Sequence, residues 1–458
     1  MKTYQDLLNA GEMLKNRAEF ITSAIAEHKA SEEYQIAAAA EEYYAKRNVT
    51  MSKFQKFIYD VAGRKHKDVF STDHKLRTGF FNRFVKQQVQ YVLSNGVTFK
   101  EEDTKERLGG NFDYALQEAA KRAMVCGRSF GFWNRDRLQV FNLVCTKTTP
   151  GFVPLYDEED GTLRAGIRFW SLGDVDRYTL YEQEGYTEYV KHKNEEIREK
   201  SPKAAYVTTT VRTEAGGVEA VMGENYPGFP IIPMYANDLR QSELEGIRES
   251  IDCYDFIKSG LANDIDGAAG FYWTVTGADG MDDSDLQRFV ERMKVVKAAT
   301  LGDGVSATAH TLEIPTEAHK MLLDRLRSDL YEDFMLLDLE KALSGNITAT
   351  AIRMAYQAQD DKCGDFEYCI REFIANLFAL IGIEDEPSFK WNRIANQTEE
   401  TQMVLSAAAH LDDQAVLDHL PWLTPEEVEE IMKRRAAEET DRFAGNDADK
   451  DVIEDGDA

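Results

Sequence analysis

Closely set carboxylates are the residues of this chain best suited to chemistry. Asn263-Asp264-Ile265-Asp266-Gly267, Asp282-Asp283-Ser284-Asp285 and Gln359-Asp360-Asp361 each place acids within a few residues of one another. Two carboxylates held close can bind Mg²⁺ or share a proton. The first cluster has the look of a calcium loop. If Gly267 were its sixth position, however, positions one and twelve would be Ala262 and Trp273, and neither carries a carboxylate. The second cluster suits the N-terminus of a helix starting near Asp283, where acids offset the helix dipole. A metal-dependent nuclease or phosphoesterase would have to draw on Asp264, Asp266 and Asp360.

Other catalytic patterns are missing. The sequence has no GxxxxGK[ST] loop, HExxH or CxxC motif. Its eight histidines are dispersed, and none lies three or four residues from another, so no helix presents a metal-binding pair. No cofactor, no metal and no enzymatic activity are expected.

The elements that must carry these residues read as α+β. Ala37–Tyr44, Phe80–Leu93 and Phe112–Val125 predict helices. The second sets Phe81, Phe84, Val85, Val89 and Val92 on one face. Strand-like runs then recur at 128–133, 138–143, 152–156, 163–170, 178–181, 187–191, 206–211 and 217–221, with turn signals between, which predicts an antiparallel sheet. Pro227 to Pro233 punctuates its end. Ser242–Leu261 predicts a helix with a Ser242/Glu245 capping box. Leu244, Ile247, Ile251, Tyr254 and Leu261 form its apolar stripe, and Glu245, Glu249 and Asp252 an acidic face.

A small βαβ-like insert follows, with strands at Gly270–Thr276 and Ser306–Ile314 around a helix at Asp283–Val296. Helices are expected at Thr316–Leu336 and from Thr348 to Ile381, the latter striped by Phe366, Ile370, Phe373, Leu377 and Ile381. One more strand is expected at Ser388–Asn392. Short helices follow at Thr398–Leu411, Asp413–His419 and Thr424–Glu438. The last has Thr424, Pro425 and a capping-box acid at its start. From Ala444 the tail carries six acids and one lysine in 15 residues, a flexible end.

Charge narrows the class of partner. Lys plus Arg number 54 against 81 Asp plus Glu, a net −27. Such a balance argues against a sequence-specific DNA reader, which sets cations against phosphates, and against an anionic membrane surface. Residues 46–86 reverse it, with 11 cations against 3 acids, net +8. That stretch is either a solvated face or a surface that meets an acidic partner, such as another copy of the chain. No apolar run is long enough to span a bilayer. Neither a signal peptide nor a disulfide framework is expected from the polar start and the five scattered cysteines.

Five segments in order resemble the portal proteins of tailed bacteriophages, the head–tail connectors of siphovirus type. Phe84–Phe99 (FVKQQVQYVLSNGVTF) resembles the family's helix followed by Y-L-x-G-x-P-V-x-F, without its proline. Asn225–Pro233 with Asn237-Asp238 and Ser242-Glu243-Leu244-Glu245 resembles N-x-x-G-x-I-P-I-I-P-F-x-N-N-x-x-x-x-S-D-L-E. Ile251-Asp252-Cys253-Tyr254-Asp255 with Ala262-Asn263-Asp264 resembles I-D-A-Y-D…S-x-x-A-N-D. Leu326-Arg327-Ser328-Asp329-Leu330-Tyr331 followed by Leu343-Ser344-Gly345-Asn346 resembles the helix, loop and A-S-G before the family's long helix. His419-Leu420-Pro421-Trp422-Leu423 is similar to L-x-x-x-P-x-V near the end. Order and spacing hold over roughly residues 20–440.

The resemblance implies a ring, typically of twelve subunits, around a DNA channel at one capsid vertex of the virion, assembled in the host cytoplasm. It implies a wing (1–236, extended by the helix returning through 348–396), stem helices (237–262 and 316–336), a clip (263–315), a tunnel loop (337–347), a crown (397–443) and an acidic tail (444–458). The implied partners are further copies of the chain, terminase, a head–tail adaptor, major capsid and scaffold proteins, and double-stranded DNA passing without sequence specificity. Acidic stem residues Glu245, Glu249 and Asp252 would face the channel and repel phosphate. Asp338, Leu339, Glu340, Lys341, Ala342, Leu343, Ser344, Gly345 and Asn346 would form the channel loop, with Lys341 as a transient phosphate contact. Alternatively, Leu339 and Leu343 would bury that segment as a plain helix-to-helix connection. Phe271, Trp273 and His310 would build the clip interface. A non-portal scaffold protein is the remaining alternative.

Overall fold

A computed structural model describes residues 1–59, 63–67, 72–147, 149–212, 218–268, 272–276, 282, 284–285, 288–289, 306–310, 315–338, 340, 354, 356–392, 397–420, 423, 427–428 and 430–436. The chain forms two units, Met1–Ala342 with Tyr356–Trp391, and Leu343–Ala355 with Asn392–Ala458.

The first unit begins with helices whose starts are written in the sequence. Thr3 and Asp6 form a capping box on α1 (Tyr4–Ala10). After α2 (Leu14–Ala30), Ser31 accepts from the Tyr34 N–H to cap α3 (Glu32–Tyr44). Short α4 (Val49–Lys53) leads to an antiparallel hairpin of β1 (Phe57–Tyr59) and β2 (Lys65–Lys67). Helix α5 (Phe80–Leu93) buries Phe81, Phe84, Val85, Val89 and Val92, the stripe its spacing predicts. Then come β3 (Val97–Thr98), α6 (Glu102–Leu108) and α7 (Phe112–Cys126).

The large sheet contains β4 (Arg128–Asn134), β5 (Arg137–Asn142), β6 (Gly151–Tyr156), β7 (Leu163–Leu172), β8 (Val175–Glu182), β9 (Gly185–His192) and β10 (Arg198–Ala204). The hairpin of β11 (Val207–Arg212) and β12 (Val218–Glu224) stands apart from it, and β13 (Ile231–Tyr235) rejoins it. The strand order is β10-β9-β8-β7-β6-β5-β4-β13. Its neighbours pair antiparallel, save one parallel bridge between Asn142 and Gly151. The α+β class thus holds. Proline-containing 227–233 differs from its expected role as punctuation, because β13 runs antiparallel beside β4 with Pro233 opposite Phe130. As an edge strand it tolerates a residue without an N–H. At the other edge, charged β10 contains Pro202 and shifts register twice, features that discourage further pairing.

Helix α7 packs on β4 and β5, and the Ser129 hydroxyl donates to the Ala119 carbonyl at 2.7 Å. Phe130 and Phe141 each pack against Phe152 in tilted contacts, with ring centroids 4.6 and 5.6 Å apart. A side chain at Gly131 would collide with the Phe373 ring, so glycine lets a later helix lie directly on the sheet.

Beyond the sheet, 243–247 form turns and α8 spans Arg248–Ala268, later than the predicted helix. Ser242 explains the difference. Its hydroxyl accepts from the Leu244 N–H and donates to the buried Val125 carbonyl, fastening the turn to the end of α7 instead of capping a helix. Strands β14 (Tyr272–Thr276) and β15 (Ser306–His310) pair antiparallel, with Trp273 opposite Ala309. The parallel crossover of a βαβ-like insert is therefore absent there. The ribbon returns the chain so that α9 (Thr316–Asp333) packs along α8. Helix α10 (Gln357–Ile381) buries Phe366, Ile370, Phe373 and Leu377. It ends at Gly382, which is left-handed at φ 68°. β16 (Ser388–Phe389) then pairs with β3.

The second unit contains α11 (Gln397–Ala407), a 3₁₀ turn at Ala408–His410, and α12 (Asp413–Asp418) capped by Asp412. Residues 430–436 are helical. The expected cap Thr424, Pro425 and the tail from Ala444 lie outside the described residues, whereas the capping-box acid Glu427 is described and helical.

Candidate channel and assembly surface

One face of α8 is a polar ladder. Asp252, Asp255, Ser259, Asn263 and Asp266 succeed one another at three- and four-residue steps, so they line a single side of the helix. Along that side lies the extended segment 72–79, part of the basic stretch. The His74 N–H donates to Asn263 Oδ1 at 2.7 Å, and the His74 ring pairs with Asp266. Ser259 Oγ accepts from the Leu76 N–H at 2.9 Å and donates to the Leu76 carbonyl at 3.4 Å. Asp255 accepts from the Thr78 N–H at 2.8 Å and from the Asn48 amide. Asp252 accepts from Tyr43 Oη. An extended strap has no hydrogen bonds of its own, so the helix supplies them.

Burial shapes the electrostatics of the ladder. The Asp255 carboxyl is held above the usual carboxylate range by burial, opposed by the hydrogen bonds from Thr78 and Asn48. Burial, reinforced by Asp252, pushes the Tyr43 hydroxyl up to about 12.

A second fixture sits where α9 ends. The Leu337 N–H donates to Gln359 Oε1 at 3.1 Å, and its carbonyl accepts from Gln87 Nε2 at 3.4 Å. Arg327 forks onto Asp338 at 3.1 Å and Glu340 at 2.5 Å. Asp338 is buried and also accepts from the Glu340 N–H. Lys362 donates to the Phe334 carbonyl at 3.1 Å, pairs with Glu243 at 2.6 Å and lies 3.5 Å over the Phe334 ring. The chain leaving α9 is therefore gripped by α5, α9 and α10 before it continues.

The predicted site residues fall unevenly on this frame. Of the channel loop, Asp338 and Glu340 sit at the gripped root. Leu339, Lys341, Ala342, Leu343, Ser344, Gly345 and Asn346 lie outside the described residues. The acidic trio Glu245, Glu249 and Asp252 does not share one helical face: Glu245 lies in the turn before α8, Glu249 is exposed in its first turn, and Asp252 is turned onto Tyr43. Phe271 lies outside the described residues. Trp273 and His310 occupy the paired strands β14 and β15, opposite Ala309 and Tyr272 respectively. The ribbon has no third strand among the described residues.

Asp266 is engaged by His74 and Asp360 accepts from Tyr91 Oη. Among the described residues no three His, Cys, Asp or Glu side chains are arranged to hold a metal, and no helix is long and apolar enough to cross a membrane. Sequence reasoning gave no individual role to Asp255, Ser259, Gln87, Gln359 or Arg327. The ladder's helical spacing was a usable signal. The clamp had none, since it joins residues up to 272 positions apart.

The family model and the sequence relatives agree on one family. The model described as phage portal protein, SPP1 Gp6-like, matches residues 23–441. The portal protein of Clostridium phage phiCD119 is 24% identical over 421 residues, which cover 86% of this chain and 90% of that protein. The portal protein of Bacillus phage SPP1 is 22% identical over 446 residues, covering 90% and 87%. Among solved structures, a chain of the neck of a native gene transfer agent particle, computed with C12 symmetry, matches at TM-score 0.42 and 12% identity. That match covers 82% of this chain and 98% of that one. A chain of the virion of a native gene transfer agent particle matches at 0.44 and 13%, covering 73% and 88%.

Proposed function

The chain belongs to the SPP1 Gp6-like family of phage portal proteins, and from that premise we propose that its copies close into a ring at one capsid vertex. The ring is the conduit through which double-stranded DNA enters during packaging and leaves at ejection. It docks terminase first and the head–tail adaptor later, and it meets the major capsid and scaffold proteins during assembly. Its role is structural, with nucleotide hydrolysis left to the motor. In this reading α8 and α9 form the stem, β14 and β15 the clip, the large sheet and its helices the wing, and 337–347 the loop that meets DNA.

The observation that best supports the reading is the grip on Leu337 and Asp338. A loop that touches moving DNA needs a root that does not move with it. Gln87, Arg327 and Gln359 hold backbone and carboxylate there from three helices. The net charge of −27 supports the same role. A wall lined with cations would bind DNA tightly by counterion release and resist its passage. Lys341, between Glu340 and Ala342, offers one weak, salt-screened phosphate contact per copy.

The test is packaging by particles carrying Lys341→Glu, and by particles in which 339–347 is replaced with a short Gly/Ser linker. Rings that assemble but package or retain less DNA support the reading, with the linker more severe. Full-length packaging and retention in both variants would reject the loop's role. Loss of folding in either would make the segment a structural connection.

A further inference from the structure

Two exposed stripes of opposite charge lie on different helices of the first unit. Arg83, Lys86 and Gln90 are exposed at i, i+3 and i+7 on α5, and exposed Lys46 lies beside them. With Asn82 and Gln87 they line an open groove of about 500 Å³ that no acidic side chain enters among the described residues. Lys46 is held in place: its backbone is left-handed at φ 58°, and its stem rests on Gly79, where a Cβ would come within 3.0 Å of it. Arg83 donates to the Tyr331 hydroxyl at 3.3 Å. Among the described residues none of the three cations pairs with a carboxylate.

The second stripe is on α10. Asp361, Asp365, Tyr368 and Glu372 are exposed at i, i+4, i+7 and i+11, and Tyr368 is 72% exposed. Asp361 accepts from Gln357 at 2.8 Å. Among the described residues none of these three carboxylates has a cationic partner. Both stripes are open to solvent within one chain, so neither neutralises the other.

We propose that the groove of Lys46, Arg83 and Lys86 receives the Asp361–Glu372 face of α10 from a second copy of the chain. This contact deepens the ring reading and rests on it. A ring built head to tail needs two different, complementary patches on every copy. Three cations with flanking amides, and three carboxylates with a tyrosine between them, meet that need. The amides of Gln87 and Gln90 can donate to carboxylates, and the Tyr368 hydroxyl can bond to either amide. Duplex DNA would explain the cations but leave the acidic stripe unaccounted for, whereas a second copy explains both.

Mixing two assembly-deficient chains tests the proposal. R83E/K86E turns the groove acidic, and D361K/D365K turns the stripe basic. Each alone should need at least about tenfold more protein to form rings than the wild type does, since like charges then face each other. Mixed, they should assemble, because each supplies the patch the other needs, and the rings should alternate. Thermal unfolding checks that both chains fold. If either does not, R83Q/K86Q and D361N/D365N replace them, with weaker and less salt-dependent assembly expected. Unchanged assembly of either reversed chain, or folded chains that stay apart when mixed, would overturn the contact. So would rings that form normally with R83E/K86E while duplex DNA binding is lost, which would give the groove to DNA. A wild-type chain that never forms rings would overturn the ring reading and the contact with it.

Discussion

Replacing Asp255 with alanine should release the strap from α8 while leaving the large sheet intact. Asp255 is fully buried and accepts from the Thr78 N–H at 2.8 Å and from the amide of buried Asn48. Removing the carboxylate strands two donors, each costing about 1–3 kcal/mol when left unsatisfied. Allowing for water entering the gap, a net loss of about 3 kcal/mol is expected, a factor of about 100 in strap opening. Lys75 and Arg77 lie within the strap, so trypsin reads that opening directly. Cleavage there tracks the open population when reclosing is fast. Asp255→Asn should cost far less, since it keeps one oxygen for Thr78 and gains an amide for Asn48 after a flip. The wild type should also show a pH signature. Because burial raises the Asp255 pKa, the folded state favours the protonated form. Its contribution to stability is fullest at low pH and fades as pH rises through the folded pKa. Equal cleavage at Lys75 and Arg77 in the wild type and Asp255→Ala would refute the strap argument.

Three further outcomes are expected. His28 is fully buried, its Nε2 lies 3.1 Å from the Leu143 carbonyl, and burial lowers its pKa to about 4. The unfolded chain therefore binds more protons as pH falls from 6.5 to 4, and urea titrations should lose at most about 3 kcal/mol across that window, a slope that His28→Gln removes. Arg327→Ala leaves the buried Asp338 carboxylate without its cation and should destabilise by about 3 kcal/mol; calorimetry measures the loss, and tryptic cleavage at Lys341 should accelerate. Trp273→Asp should weaken ring assembly or partner docking on the two-stranded ribbon, leaving the isolated chain's unfolding midpoint unchanged.

The helices and most strands were legible where local pattern and tertiary demand agree. Phe80–Leu93 and Phe112–Cys126 fill one face with apolar residues at helical spacing, and burial follows that face. Pattern failed where long-range contacts decide. Ile231–Tyr235 becomes a strand because β4 accepts it at the sheet edge. Ser242 leaves the helix because Val125 offers a carbonyl 117 residues away. Arg198–Ala204 carries little apolar signal, yet β9 pairs with it. The acidic trio misled for a related reason: regular spacing of Glu245, Glu249 and Asp252 cannot reveal that the helix starts at Arg248 or that Tyr43 claims Asp252. The segments that resemble portal proteins turn out to carry structural work, with Asp252, Asp255 and Asn263 holding neighbouring chain.

Electron microscopy of the purified chain, alone and co-expressed with its capsid and scaffold proteins, tests the portal role most directly. Closed rings with a central hole wide enough for duplex DNA are expected in at least one of these preparations. Particles that remain monomeric in all of them would contradict a portal role.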